Sequence, residues 1–287
     1  MSVIFGGCSI PNLILNNKTE SYKYSLTARQ KQILKQEGLP LDYEKLNDTQ
    51  KSAIECIEDI FKYLDKTYPK EKFEYSGYVP YSTLEPEHLI VESQYGEVTV
   101  NRYVSTDSPN EPPTFEDDFK DVKAADIYAT VVDDYLAKKY DTDKYLVDVY
   151  ASEYLDDTYD TKTITEKCDC NVNVYVNDEL GMNVFENISK DMVNFMKNKT
   201  GSLPVSSSVY LINRSDFSMD LPEEFMNGLS SNVIKKHIKF NRRLNGEEKV
   251  YEVKGEWYEI VRFSTNVIRT DNICRCKFVW KTWYTEF

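Results

Sequence analysis

The sequence predicts an α+β protein of two or three small domains, in which amphipathic helices pack on antiparallel sheets. Three observations support this prediction. Apolar residues recur at helical spacing in several segments, short alternating segments between them have strand character, and clusters of Pro, Gly and Ser separate these groups. A chain of 287 residues also exceeds the usual size of one domain, and its 41% apolar content argues against global disorder.

The clearest pattern spans residues 47–104. Asn47 is a suitable N-cap, and an apolar stripe at spacings of three or four follows it until Pro69 ends the helix. The stripe consists of Ile54, Ile57, Phe61 and Leu64. Strands are then predicted at Phe73–Tyr78, Leu89–Glu92 and Glu97–Val104. Tyr95 and Gly96 mark a tight hairpin between the last two strands.

A helix followed by an alternating strand returns later in the chain. The helix end Tyr63–Tyr68 resembles Tyr135–Tyr140, and residues 195–199 before Val209–Ile212 resemble both more weakly. The pattern indicates a possible internal repeat. Matches in Tyr, Leu and Lys alone are equally typical of unrelated helix ends.

The remaining elements divide the chain into three predicted domains. Further helices are predicted at Leu26–Glu37, Phe115–Tyr140, Val184–Asn198 and Glu223–Lys236, and further strands at 145–150, 164–176, Val209–Asn213, Tyr251–Thr265 and Ile273–Tyr284, the last two as a hairpin. Three prolines make residues 105–113 the clearest linker. We therefore expect an N-terminal domain over residues 1–108, an acidic central domain over 109–180 and a C-terminal domain over 181–287.

Charge is unevenly distributed along this acidic chain, whose net charge is −13. Residues 107–160 carry 16 acidic and 5 basic side chains, whereas residues 231–287 carry 7 acidic and 12 basic ones. An acidic centre disfavours direct binding of nucleic acid and suits a basic protein partner; a solvated surface that keeps the protein dissolved is the alternative. The opposite charges also favour a homo-oligomer. Candidate partner-binding residues in the acidic segment are Asp117, Asp118, Asp133 and Asp134.

Tyrosine is unusually frequent, with 22 residues. A tyrosine side chain combines a large, stiff apolar surface with a polar tip, which suits protein interfaces. Tyr154 and Tyr159 lie in polar sequence surroundings, and we predict that they contribute to partner binding. Ordinary strand content and codon bias explain the same composition without an interface.

Two Cys-x-Cys pairs are candidate zinc ligands. Residues two apart on a strand face the same side, so Cys168 with Cys170 and Cys274 with Cys276 would together present four thiolates. Structural zinc sites usually place two to four residues between paired cysteines, which makes buried small apolar side chains the favoured interpretation and a redox role a further one. We predict no bound cofactor.

A metal-dependent hydrolase is one alternative function. Glu85, Glu87 and His88 bring two carboxylates and an imidazole together, which suits metal binding or acid–base chemistry. Neighbouring carboxylates that could hold Mg²⁺ occur at Asp117 and Asp118, Asp133 and Asp134, and Asp156 and Asp157. The sequence contains neither a GxSxG elbow, an HExxH motif nor a phosphate-binding glycine loop, so we predict that the protein is not an enzyme.

The composition resembles that of accessory proteins carried by phages and mobile elements of low-GC Gram-positive bacteria. The shared features are many Lys, Asn, Asp and Tyr residues, few His and no catalytic signature. Among such proteins, inhibitors of bacterial immune systems are typically acidic, non-enzymatic proteins that block a host complex. The resemblance implies an inhibitor of a host defence complex, with a nucleic-acid-handling partner, and transfers no individual residue.

The last predictions concern the location of the protein in the cell and its role in an assembly. No apolar run approaches the length of a membrane span, and the first residues do not resemble a secretory signal, so we expect a cytoplasmic protein without membrane contact. A structural component of a phage or another assembly is a second alternative to the inhibitor.

Overall fold

The protein has the predicted α+β fold. The computed structural model describes residues 24–83, 86–105, 111–154, 158–201, 203–213, 217, 234–243, 245–254 and 257–260. Contacts divide the chain between Phe119 and Lys120 into two compact units, named here the N-terminal unit and the C-terminal unit. In the described ranges, no helix combines the length and the apolar character needed to cross a bilayer.

Two capped helices open the N-terminal unit. They are α1, Ala28–Gln36, and α2, Asp48–Thr67. Each helix begins with a capping box. The N-cap side chain, of Thr27 or Asn47, accepts from the backbone N–H of the glutamine three residues on, and the side-chain oxygen of that glutamine accepts from the N-cap N–H. Both predicted helices are confirmed. Their caps and apolar stripes involve residues close together in the sequence, so the sequence shows them directly.

The N-terminal sheet is an antiparallel meander with the order β1-β2-β3-β4. Its strands are β1 Glu74–Val79, β2 Glu87–Ser93, β3 Gly96–Tyr103 and β4 Thr114–Asp117. The predicted hairpin is present: Ser93 pairs with Gly96, whose φ of 131° needs glycine. Residues 114–117, in contrast, form a strand where a helix was predicted from Phe115, because they pair with β3.

The C-terminal unit combines helices with a six-stranded mixed sheet of order β10-β9-β8-β7-β6-β5. Its helices are α3 Phe119–Leu136, whose first residue belongs to the N-terminal unit, α4 Ile164–Lys167 and α5 Gly181–Lys199. Its strands are β5 Tyr145–Tyr154, β6 Cys168–Asn177, β7 Val205–Ile212, β8 Ile234–Arg242, β9 Glu248–Lys254 and β10 Trp257–Ile260.

The predicted boundary between residues 180 and 181 falls inside this unit. β6 and β7 are adjacent and parallel, from Cys170 beside Val205 to Asn177 beside Ile212. Parallel neighbours need a crossover connection, and α5 provides it. The division into central and C-terminal domains is therefore corrected: residues on both sides of the predicted boundary share one sheet and one core.

Two further predictions near the C-terminus change. Residues 234–236, the end of the predicted helix Glu223–Lys236, lie in β8. Within the predicted strand Tyr251–Thr265, residues 251–254 and 257–260 belong to two antiparallel strands, β9 and β10, in which Lys254 pairs with Trp257. Its predicted partner Ile273–Tyr284 lies outside the described residues.

The two faces of the C-terminal sheet differ in character. On one face, α3 and α5 cover an apolar core that includes Cys168, Cys170, Val172, Val174 and Val176 of β6. The buried stripe of α3 consists of Ala124, Tyr128, Val132 and Leu136. Ile127, Val131 and Tyr135 of the same helix are only partly buried. The other face carries mainly polar and aromatic side chains.

The helix–strand pairs of the possible repeat occupy different positions in their sheets. β1, after α2, pairs antiparallel with β2, and β5, after α3, pairs antiparallel with β6. β7, after α5, lies between β6 and β8 and is parallel to β6. The topology of the described strands does not repeat.

Candidate binding site at one end of the six-stranded sheet

A row of four side chains crosses the face of the C-terminal sheet that lies opposite the apolar core. Tyr150 of β5 pairs with Asn171 of β6, Asn171 with Ser206 of β7, and Ser206 with Asn241 of β8. Paired residues of adjacent strands project to the same face, so these four side chains are neighbours. We call them the polar row; all four are uncharged.

The polar row borders a cavity of about 640 Å³. The cavity lies where β6 and β7 begin and where β5 and β8 end. Its lining residues are Ser152, Asp169, Cys170, Asn171, Pro204, Val205, Ser206, Asn241, Arg242, Arg243 and Asn245. Ser152, Arg243 and Asn245 are exposed and form the rim.

Arg242 fastens the inner wall of the cavity. This buried side chain donates to the carbonyl of Met196 at 2.9 Å and to the hydroxyl of Thr200 at 2.7 Å, and it also contacts the carbonyl of Gly201. Its guanidinium pairs with Glu248 at 2.7 Å. The arginine thus satisfies carbonyl groups at the end of α5, where helices leave such groups unpaired, and ties α5 to β8 and β9.

The loop after α5 packs tightly behind this wall. A side chain at Gly201 would bring its Cβ within 2.6 Å of the backbone oxygen of Glu166, closer than atoms tolerate. Thr165 donates to the carbonyl of Lys199 at 2.6 Å and closes the loop from the same side. These contacts hold Gly201 in place, three residues before Pro204, which lines the cavity.

Hydrogen bonds within the lining leave neutral groups in the centre. Ser206 donates to the side-chain oxygen of Asn171 at 2.6 Å, which orients the amide nitrogen of Asn171 away from that contact. At the rim, Arg243 pairs with Glu247 at 3.4 Å. The lining therefore combines amide and hydroxyl groups with the apolar groups of Pro204 and Val205 and with the charged side chains of Asp169, Arg242 and Arg243.

Tyr150 ends the polar row with a partly exposed ring, 36% accessible. Burial and the nearby carboxylate of Asp148, two residues away on the same strand, raise the pKa of Tyr150. Burial also raises the pKa of Asp148.

Farther along the same face, aromatic rings replace the amides. Tyr175 stacks on Tyr210 with ring centroids 5.4 Å apart, and Tyr210 stacks on His237 at 4.1 Å. Burial, helped by the nearby charge of Lys239, lowers the pKa of His237 to about 3. His237 is therefore neutral near pH 7 and part of the packing.

Asp117, predicted to bind a partner from an exposed helix, is an internal acceptor of the N-terminal unit. It ends β4, and its carboxylate accepts from the hydroxyls of Tyr63 and Tyr68, the latter at 2.8 Å. It also accepts from the backbone N–H of Phe119 at 3.1 Å. The expectation that Asp117 is free for a partner is corrected, because these bonds occupy both carboxylate oxygens.

The other three acidic candidates vary in exposure. Asp118 is exposed, but it accepts from the backbone N–H of Thr99 at 2.8 Å. On α3, Asp133 is half-buried and Asp134 is exposed. Asp126, also exposed on α3, lies two turns before Asp134.

Tyr154 and Tyr159 contact each other rather than extend from the surface. Tyr154 is 9% exposed, and its hydroxyl accepts from the backbone N–H of Tyr159 at 3.0 Å. Their rings lie 4.9 Å apart, and Lys123 lies 4.7 Å above the ring of Tyr159. Tyr154 is therefore a core residue, which corrects its prediction as a contact residue.

The described residues of the predicted acid–base group, Glu87 and His88, each make separate structural contacts. Glu87 is half-buried; it accepts from Tyr78 and pairs with Arg102 at 2.6 Å. The Nδ1 atom of His88 lies 3.0 Å from the carbonyl of Pro86. Glu85, Asp156 and Asp157 lie outside the described residues.

Cys168 and Cys170 both lie in the apolar core beneath α3 and α5. Their exposures are 0% and 2%, as expected for small apolar side chains. Cys274 and Cys276 lie outside the described residues. Within the described ranges, no three His, Cys, Asp or Glu side chains come together in a way that would hold a metal ion.

The polar row was missed by the sequence analysis, although a signal for it exists. Asp169, Asn171 and Asn173 alternate with apolar residues in β6. This alternation indicates one polar face on that strand. In β7, the run Ser206-Ser207-Ser208 gives no such signal. What the sequence did not show is that β6 and β7 are neighbours in register.

Comparisons with known proteins add little. No family model matches the chain, and no curated protein matches it. Among solved structures, it is similar to a DUF5037 family protein from Ruminococcus gnavus ATCC 29149, with 13% identity over 65% of this chain and 90% of that chain and a TM-score of 0.42. At this TM-score the likeness supports no argument about function.

Proposed function

We propose that the protein acts by binding a ligand at the cavity of the C-terminal unit and performs no chemistry on it. One observation carries this proposal: the polar row and the cavity bring uncharged hydrogen-bonding side chains of four adjacent strands to one place. Sites for ligands are concave and contain a few well-placed polar groups.

The rigidity of the cavity supports the same proposal. Arg242 holds the end of α5, and Gly201 allows the close approach of the α5–β7 loop to Glu166. A binding site whose walls are already in position orders few groups when the ligand arrives, so less free energy is lost on binding. By contrast, Glu87 and Asp117, two candidates for chemistry, already make hydrogen bonds to tyrosines.

The proposal includes the partner and the location that the sequence predicts. A host protein complex that handles nucleic acid would face exposed carboxylates of α3, such as Asp126 and Asp134. The narrower role of an inhibitor of host defence, cytoplasmic residence and homo-oligomerisation stay predictions. Light scattering at micromolar concentration checks the last of these, and a monomeric mass would contradict it.

A blocked cavity tests the proposed function. Ser152→Trp places an indole on the exposed rim, and Asn194→Trp makes the matching change on the exposed face of α5. Each protein is incubated with an array of oligosaccharides, peptides and nucleic acids. We expect at least one ligand class to bind the wild type and Asn194→Trp and to be lost with Ser152→Trp.

Mass spectrometry of the retained ligand provides the second readout. A binding protein returns the ligand with its mass unchanged after prolonged incubation. A ligand that is converted by the protein contradicts the proposal, and so does retention that Ser152→Trp and Asn194→Trp affect equally.

A further inference from the structure

We propose that the ligand of the polar row is a short neutral oligosaccharide. This inference rests on the proposed binding function and names its ligand class. The row runs from the ring of Tyr150 through Asn171 and Ser206 to Asn241, a distance of about 14 Å from three strand spacings.

The hydrogen-bonding groups of the row match sugar hydroxyls. An asparagine side chain offers two N–H donors and an acceptor oxygen, and a serine hydroxyl both donates and accepts. A sugar hydroxyl also does both. Because Ser206 occupies the oxygen of Asn171, the amide nitrogen of Asn171 is the group that remains for a ligand oxygen.

The charged side chains that line the cavity already have partners, which favours a neutral ligand. Arg243 pairs with Glu247, Arg242 is surrounded by carbonyls and Glu248, and Asp169 has an interaction of its own. A charged ligand would have to compete with these contacts. A neutral one needs only the amides and hydroxyls of the centre.

Tyr150 supplies the apolar part of the site. Sugar rings have faces of C–H groups that pack on aromatic rings, and the ring of Tyr150 is 36% exposed at the end of the row. A ring and an adjacent set of amides thus lie on one continuous surface.

An extended peptide fits this place less well. Peptides that bind sheets usually pair their backbone with an unpaired edge strand. The row residues of β6, β7 and β8 lie on strands with a hydrogen-bonded neighbour on both sides, so their backbone groups are already used. Recognition here must come from side chains, as it does for oligosaccharides.

An array of neutral oligosaccharides tests the inference. Gluco-, manno-, galacto- and N-acetylglucosamine oligomers are printed beside uronic acid-containing and sulfated ones and beside extended peptides. We expect binding to a neutral oligomer, with an affinity that calorimetry shows to be unchanged between low and high salt, because no ion pair forms.

Matched variants locate the binding. Tyr150→Ala removes the ring and should weaken binding about tenfold, and Tyr150→Phe should recover part of that loss. Asn241→Ala should weaken it about three- to tenfold. The control is Tyr103→Ala in the N-terminal unit, because Tyr103 is 39% exposed, close to the exposure of Tyr150.

Each outcome decides the inference. Binding of a neutral oligomer that falls with Tyr150→Ala and not with Tyr103→Ala supports it. Binding only of peptides or charged sugars, or equal effects of the two alanine variants, overturns the oligosaccharide while the binding function stands. If the wild type retains nothing on this array but binds nucleic acid at the cavity, the oligosaccharide is overturned and the binding function stands; if it retains no ligand of any class, both proposals fail.

Discussion

The two units differ in what part of their polar side chains does. In the N-terminal unit, tyrosine hydroxyls donate to carboxylates inside the unit, as Tyr63 and Tyr68 do to Asp117 and Tyr78 does to Glu87. The C-terminal unit also contains such a pair, but there amides and hydroxyls gather in addition at the end of a sheet around a cavity. Polar side chains therefore stabilise the N-terminal unit and, in the C-terminal unit, also form the candidate site.

The comparison also explains part of the unusual composition. A tyrosine paired with a carboxylate satisfies a half-buried charge and adds an apolar ring to the core. Further pairs of this kind are Tyr43 with Glu55, Tyr75 with Glu37 and Tyr140 with Asp191. These pairs thus explain part of the high content of both tyrosine and acidic residues, and this part needs no protein interface.

The largest expected effect is the loss of Arg242. Arg242→Met leaves the carbonyls of Met196 and Gly201 and the carboxylate of Glu248 without their cation, so we expect the C-terminal unit to lose about 4 kcal/mol of unfolding free energy. All three tryptophans lie beyond Lys120, so tryptophan fluorescence in urea follows this unit. Arg242→Lys, which keeps the charge, should lose less; an unchanged midpoint for Arg242→Met would contradict the fastening role.

The matching change in the N-terminal unit is Asp117→Ala. It removes the acceptor of two tyrosine hydroxyls and one backbone N–H, so we expect a loss of about 3 kcal/mol. Far-UV circular dichroism should show an earlier transition, while tryptophan fluorescence should change little. Equal shifts of both signals would break the comparison, because the two units would then unfold together.

Acid should destabilise the C-terminal unit through His237. Its folded pKa of about 3 lies below the ordinary value of 6.5, so the unfolded chain binds the proton first and stability falls as pH drops from 6.5 towards 3. Between pH 6.5 and 5, we expect His237 to contribute a loss of about 1 to 2 kcal/mol. His237→Gln should lack this contribution. Urea unfolding at both pH values measures the difference, and identical pH dependence of the two proteins would contradict it.

The smallest effect is expected for exposed acids of α3. Asp126→Lys combined with Asp134→Lys should change unfolding free energy by less than about 0.5 kcal/mol, because both residues are exposed. If α3 faces a basic partner, the same variant should slow its capture, as measured by surface plasmon resonance at low salt. An unchanged rate would leave these charges with a role in solubility alone.

Sequence patterns predicted the N-terminal unit well. Asn47 begins α2, and the hairpin at Tyr95 and Gly96 joins β2 to β3, because these signals depend on neighbours along the chain. β4 was missed: Phe115 and Asp117 fit a helical pattern, and only pairing with β3 makes them a strand. The acidic residues of this segment were likewise expected on the surface, whereas Tyr63 and Tyr68, distant in sequence, enclose Asp117.

The candidate site could not be predicted either, because it too depends on residues that are far apart in the chain. The alternation of polar residues in β6 shows that this strand has a polar face, but Asn171 and Ser206 are separated by the whole of α5. Whether the strands that carry them are neighbours, and in which register, depends on how α5 packs back on the sheet. That packing involves contacts of apolar groups, which have no direction and leave no motif.

By itself, the sequence determined the fold class, the helices with their caps, the hairpin of the N-terminal unit and the polar face of β6. These properties follow from spacing and from local hydrogen bonds. Tertiary structure alone decided that β6 and β7 lie side by side, that Arg242 fastens α5, and that Asp117 is an internal acceptor. Each depends on residues far apart in the chain, which only the burial of apolar surface brings together.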